Sequence, residues 1–256
     1  MVIEGFSIGL LAWIALVMLF AGLVQGTLGF GFPFVATPLI ALASDMRIAI
    51  MAVLLPTLSV IIVTLVASGP LKPALARFWR MPLYQVIGAA AGTWLFVSAP
   101  DLPYLLALAL VTLVYLNLDR LGKADWPAVR RHERRFAPVS GVLSGIFEGT
   151  ANVAAPPLII FYLALGLAPA MLVQAMNLSF LVGKTTQLVV LAAAGGVTAA
   201  QWLATLPFVA IGTAASLAGV RLRNRIDGPT YRTWVKRALL VISLALIAQY
   251  AYSQWR

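Results

Sequence analysis

Glu148 and Lys184 are the two ionisable residues that stand out inside the long apolar segments of this chain. A charge near the centre of a bilayer costs about 2.5–3.5 kcal/mol on insertion scales, so such a residue faces a partner, a cavity or water. A buried ammonium is an anchor for an anion. A buried carboxyl group can carry a proton: desolvation favours its neutral form and an adjacent ammonium its ionised form, and the sequence leaves open which wins. Lys184 shares its segment with other polar groups. At about 100° per residue, Gln174, Asn177, Lys184 and Gln187 fall within one arc of about 140°. A polar stripe of this kind lines water, a substrate or another polar helix. For Gln174 and Gln187, hydrogen bonding between helices is an equal alternative.

The backbone offers a second set of groups. Residues 23–40 read LVQGTLGFGFPFVATPLI, an apolar run broken by Gly26, Gly29, Gly31 and Pro33. Glycine lets backbone approach backbone or ligand, and proline suits the first turn of a new helix. The pattern predicts a helix ending near Gly26–Gly29 and a short one over Pro33–Ala43. Residues 142–159, VLSGIFEGTANVAAPPLI, repeat it: a shift of 119 places Gly22 on Gly141, Gly26 on Gly145 and Pro38-Leu39-Ile40 on Pro157-Leu158-Ile159. Leu58-Ser59 matches Leu178-Ser179 at a shift of 120. Two glycine-broken segments in matching halves point to a transport site near the midplane. Short helices starting near Phe34 and Val153 would aim N–H groups and positive dipole ends into the membrane, a ready anion site. The expected substrate-binding set is therefore Lys184, Gln25, Thr27, Gly29, Gly31, Thr150, Asn152 and Asn177, with Glu148 as the ion-coupling group. The pairs Gly22-xxx-Gly26 and Gly141-xxx-Gly145 also suit close helix packing alone.

What must position these residues is a membrane protein. The chain has 256 residues, 62% hydrophobic and 10% charged, against roughly 25% charged in soluble domains. Apolar segments lie near 5–26, 33–43, 46–68, 81–98, 102–118, 137–148, 152–166, 169–194, 199–220 and 236–254, the first read as a retained span rather than a signal peptide. The net charge of +10 sits between the segments, where it sets topology and touches anionic lipid, and no nucleic-acid module is present. Lys and Arg gather at 69–80, 119–136 and 221–237 and are missing from 99–101, 166–168 and 195–198. The positive-inside rule makes the rich loops cytoplasmic. Both termini then lie outside, and the broken pairs enter from opposite sides. The predicted fold is an all-α polytopic membrane protein, with two five-segment halves in an inverted-topology repeat, each carrying a broken or re-entrant helix pair. Residues 1–118 form the first repeat, 119–136 a basic cytoplasmic linker with Trp126 and Phe136 as interfacial anchors, and 137–256 the second repeat. Asp45 and Arg47 read as interfacial, as a mutual pair.

With no cysteine and one histidine, His132, in an arginine run, neither a metal site nor a cofactor is expected. A membrane enzyme would need a nucleophile–base pair or clustered carboxylates, so the chain is not expected to be an enzyme. It also lacks a Walker A pattern.

On GLVQGTLGFGFPFVATPLI (22–40) and GVLSGIFEGTANVAAPPLI (141–159), the chain resembles the sulfite exporter TauE/SafE family of bacterial membrane permeases. The resemblance covers nearly the whole length. It implies a secondary transporter of small sulfur-containing anions, such as sulfite, sulfonates or sulfoacetate, in the bacterial inner membrane. It further implies coupling to an ion gradient, with protons or sodium as candidate ions. An anion channel, or a permease for a different small organic anion, is the alternative. Glu148 stands where the first half has Gly29, which makes the halves unequal.

Overall fold

The computed structural model describes residues 7–117, 127–195 and 198–223, with scattered positions between 240 and 251. Segment 236–254 and Trp126 thus fall largely outside the described residues. Among those described, all regular structure is helical: α1 (Ile8–Leu28), α2 (Phe32–Ala43), α3 (Met46–Ala67), α4 (Lys72–Phe78), α5 (Arg80–Ser98), α6 (Tyr104–Leu116), α7 (Pro127–Arg131), α8 (Glu133–Ala151), α9 (Ala155–Ala164), α10 (Pro169–Ala193), α11 (Ala199–Ala204) and α12 (Leu206–Leu222).

The helix ends follow local chemistry. Ser7 and Asp45 cap α1 and α3, their side chains accepting from Leu10 N at 3.2 Å and Ile48 N at 2.8 Å. Asp45 thus has a capping role that charge placement alone did not suggest. The apolar segment expected at 137–148 extends backwards into the basic run, as the 119-residue shift demands, with α8 beginning at Glu133. The segment expected at 199–220 is divided at Thr205, just before Pro207. Among the described residues, four helical stretches are long and apolar enough to cross a membrane: α1, α3, α10 and α11–α12 taken together. Large apolar side chains also face outward, with Val66 77% and Trp94 66% exposed. On a soluble protein such a surface would be a liability; against acyl chains it is the favourable one.

Two helix pairs make the most extensive contacts, α5 with α8 and α1 with α12. Both seams are built from small residues. A Cβ on Gly26 would overlap the backbone of Ser216, and one on Gly145 the backbone of Gln85 and Ala89. The small-xxx-small pairs therefore pack helices, as one of their two readings held. α10 lies at the centre, against α3 and α5, and also touches α4, α8 and α9.

The seams give a first expected result. Gly145→Ala forces α5 and α8 apart, since backbone rather than a flexible side chain receives the new methyl. Overpacking of this kind costs about 1–3 kcal/mol or more. Gly9→Ala places its Cβ no nearer than 3.8 Å to Ser7 Oγ and should be neutral or slightly stabilising. Thermal unfolding in detergent checks the pair, with a clear fall in midpoint expected for Gly145→Ala alone.

Candidate functional site

The first break is a helix end, a left-handed glycine and a new start. Gly29 adopts φ 83° and its N–H returns to Gln25 O; Gly31 adopts φ 118° and precedes α2. An L-residue with a side chain rarely occupies either conformation. Gln25 then stitches the break. Its Oε1 accepts from Phe32 N at 3.0 Å, and its Nε2 donates to Thr64 Oγ1 at 3.0 Å and Asn177 Oδ1 at 3.2 Å. Asn177 Nδ2 donates to Gly29 O at 2.7 Å.

The second break uses a different residue for the same turn. Asn152 takes the left-handed conformation, φ 61°, the one non-glycine residue with positive φ among those described. Asn152 N reaches Glu148 O, the bond of an αL helix end, and Val153 N reaches Phe147 O. Asparagine tolerates this region better than other residues with side chains. Unlike glycine, it also supplies an amide. Its Oδ1 accepts from Lys184 Nζ, and its Nδ2 donates to Thr37 Oγ1 at 2.8 Å. Ser144 Oγ ties the end of α8 to Ala154 O at 2.7 Å.

Lys184 and Glu148 meet here. Nζ lies 3.6 Å from Glu148 Oε1, and each side chain is 1% exposed. Lys184 also donates to Gln187 Oε1 at 2.9 Å, and Gln187 Nε2 donates to Glu148 O at 3.1 Å. On the far side of the carboxylate, Gln85 Nε2 of α5 donates to Glu148 Oε2. Gly183 makes room: a Cβ there would overlap that oxygen and lie 2.7 Å from Gln85 Nε2. The ammonium is thus ringed by a carboxylate and two amide oxygens, and the carboxylate is held between a cation and an amide. Such a pair is worth keeping only where geometry is good and other hydrogen bonds complete it.

The expected residues divide into two clusters on α10. Gln25, Gly29 and Asn177 gather at the first break; Glu148, Asn152 and Lys184 at the second. Asn177 and Lys184 are seven residues apart, about 10 Å along a helix. Thr27 and Thr150 donate their hydroxyls to their own helices, at Leu23 O (2.8 Å) and Ile146 O (2.7 Å), so neither hydroxyl proton is directed to a ligand. Gln174 leaves the stripe to bond Ser68 O and Pro70 O at 2.8 and 3.1 Å. The start of α9 is a poorer donor than expected, because Pro156 and Pro157 occupy its first turn and have no N–H.

Several participants were not singled out from sequence: Gln85, Thr37, Thr64 and Ser144. The repeat held a signal for two of them. Ser144 falls on Gln25 at the shift of 119, and Thr64 on Lys184 at the shift of 120. Gln85 Oε1 and Thr93 Oγ1 are buried without a hydrogen-bond partner. Among the described residues, no group of three His, Cys, Asp or Glu could hold a metal ion.

A family model described as "Sulfite exporter TauE/SafE" matches residues 14–250. No curated protein and no solved structure matches.

Proposed function

Because the chain belongs to the TauE/SafE sulfite exporter family, we propose that it carries a small sulfur-containing anion, sulfite- or sulfonate-like, across the bacterial inner membrane through the Lys184–Glu148 site. The family is one of membrane transporters and not of enzymes. The observation that carries the reading is the buried ion pair across the second break.

In this reading Glu148 occupies the place on Lys184 that a substrate anion takes. The resting pair is neutral. A lone anion would leave the buried site with a net negative charge, and a lone proton on Glu148 with a net positive one. Proton and anion arriving together leave it neutral again. Burying net charge is costly, so the two neutral states are the ones that cross the membrane. This couples one proton to one monovalent anion. A sodium ion beside Glu148 would serve the same arithmetic, and replacing sodium in the assay separates the two.

The packing supports an inverted repeat of residues 1–118 and 137–256 about the basic linker 119–136. α1 packs on α12 as α8 packs on α5, and α3 meets α12 as α10 meets α5. Each contact has a counterpart in the other half, and the halves interlock. Rocking of one half against the other around a fixed site is the motion such repeats support.

A binding screen on purified protein tests the substrate class. Sulfite, thiosulfate, taurine, isethionate and sulfoacetate are compared with chloride at equal ionic strength. At about a hundred times its Kd, a bound ligand adds about 2.7 kcal/mol of stability. At least one sulfur anion should raise the midpoint by several degrees over chloride. If none does, the assignment of substrate class is wrong.

A further inference from the structure

We propose that the arginine-lined cavity between the α4–α5 junction and α7–α8 is a binding site for the phosphate group of an anionic phospholipid. The cavity measures about 630 Å³. Arg77, Arg80, Arg130, Arg131, Arg134 and Arg135 line it, and among the described residues Glu133 is the one acidic group in its wall. Glu133 meets Arg77 at 4.0 Å, with both side chains substantially exposed, so it offsets little of the positive charge. Like charges gathered in a concave site raise the local potential and attract an anion. The guanidinium fork matches two phosphate oxygens at once.

The surroundings select a lipid over a soluble anion. A second cavity of about 340 Å³ shares His132 and Arg135 with the first and is otherwise walled by Ala128, Phe136 and Val139. Phe136, Val139 and Leu143 are exposed at helical spacing along α8, and Trp79 and Leu83 are exposed at the start of α5. The charged cavity therefore continues into an apolar trough on the outer surface of the helices. A headgroup fits the first and acyl chain the second. Both basic loops involved, 69–80 and 119–136, belong to the side that charge placement assigns to the cytoplasm, where basic pockets between helices take acidic headgroups. The site is separate from the Lys184–Glu148 pair and does not depend on what is transported there.

Native mass spectrometry of the full chain, released from vesicles of phosphatidylglycerol and phosphatidylcholine, tests it. Wild type should retain phosphatidylglycerol. Arg131→Gln/Arg134→Gln/Arg135→Gln should weaken retention on the order of a hundredfold, at about fivefold for each basic residue near the membrane surface. The corresponding triple lysine variant should recover only part of it, because an ammonium restores the charge but not the two-oxygen fork. Arg221→Gln/Arg223→Gln, in another basic segment, should leave it unchanged. Should the triple variant fail to fold, Arg134→Gln and Arg135→Gln alone should each show about the fivefold loss. Equal loss in the Arg221→Gln/Arg223→Gln control, or no loss in the cavity variants, overturns the proposal. Millimolar glycerol phosphate should not displace the lipid; if it does, the cavity is a vestibule for soluble anions and the lipid assignment fails.

Discussion

Lys184→Ala will lose anion binding by about a hundredfold or more, equivalent to about 2.7 kcal/mol, while Lys72→Ala will lose almost none. Both changes remove one positive charge. Lys72 is exposed at the start of α4, where water and salt screen it. Lys184 is 1% exposed and sits among Asn152, Gln187 and Glu148, where neither screens it. The same burial creates a second effect that must be separated from the first. Removing one partner of a buried pair costs about 3–5 kcal/mol, because the other charge is left without compensation. Lys184→Ala is therefore expected to unfold more easily. The double variant Lys184→Met/Glu148→Leu removes both charges and should recover stability, since apolar replacement of a buried pair is often neutral. It should not recover anion binding. Thermal unfolding and binding measured on the three proteins resolve the matter. If Lys184→Ala and Lys72→Ala bind anions equally, only overall potential matters and Lys184 holds no discrete site.

The all-helical membrane class and the positions of the main helices were legible because the bilayer enforces long apolar segments. Apolar length and the doubled Gly/Pro break are long-range patterns that survive without side-chain detail. They placed α1, α2, α3 and α10 within a few residues, and put Gly29 at the turn it makes. The membrane also made Glu148 and Lys184 conspicuous. What sequence did not carry is which polar group meets which. Thr27 and Thr150 were attractive as donors near the breaks, yet a threonine hydroxyl on a helix finds its own i−4 or i−3 carbonyl first. Gln85 lay unremarked in an apolar stretch, because what it meets is set by α5 packing onto α8. That contact joins residues 63 apart in the chain, and no local period encodes it. The exchange of Gly29 for Glu148 between the halves was visible as an asymmetry. Its meaning required knowing that Asn152 had taken over the left-handed turn, which freed that position to carry a charge.

Glu148→Gln tests coupling without emptying the site. Glutamine keeps the length of the side chain and can still accept from Lys184 and bond Gln85, while its charge is fixed at zero. In the neutral-state scheme, the variant with anion bound is neutral: the Lys184 ammonium is balanced by substrate. The variant without anion carries the uncompensated ammonium. Loaded carriers should therefore cross freely and empty ones should not. The expected phenotype is specific: binding retained or tightened, because the competing carboxylate is gone, and exchange of labelled for unlabelled substrate retained. Net accumulation driven by a pH gradient should be lost, falling toward that of liposomes without protein. A variant damaged only in folding would lose exchange and accumulation together. Reconstituted vesicles measure both on one preparation, with an imposed pH gradient for accumulation and equal pH for exchange. Normal accumulation by Glu148→Gln under a pH gradient would show that Glu148 is not the coupling group. Loss of exchange as well would make the Glu148–Lys184 pair a structural tie between α8 and α10, and the proton would have to be carried elsewhere.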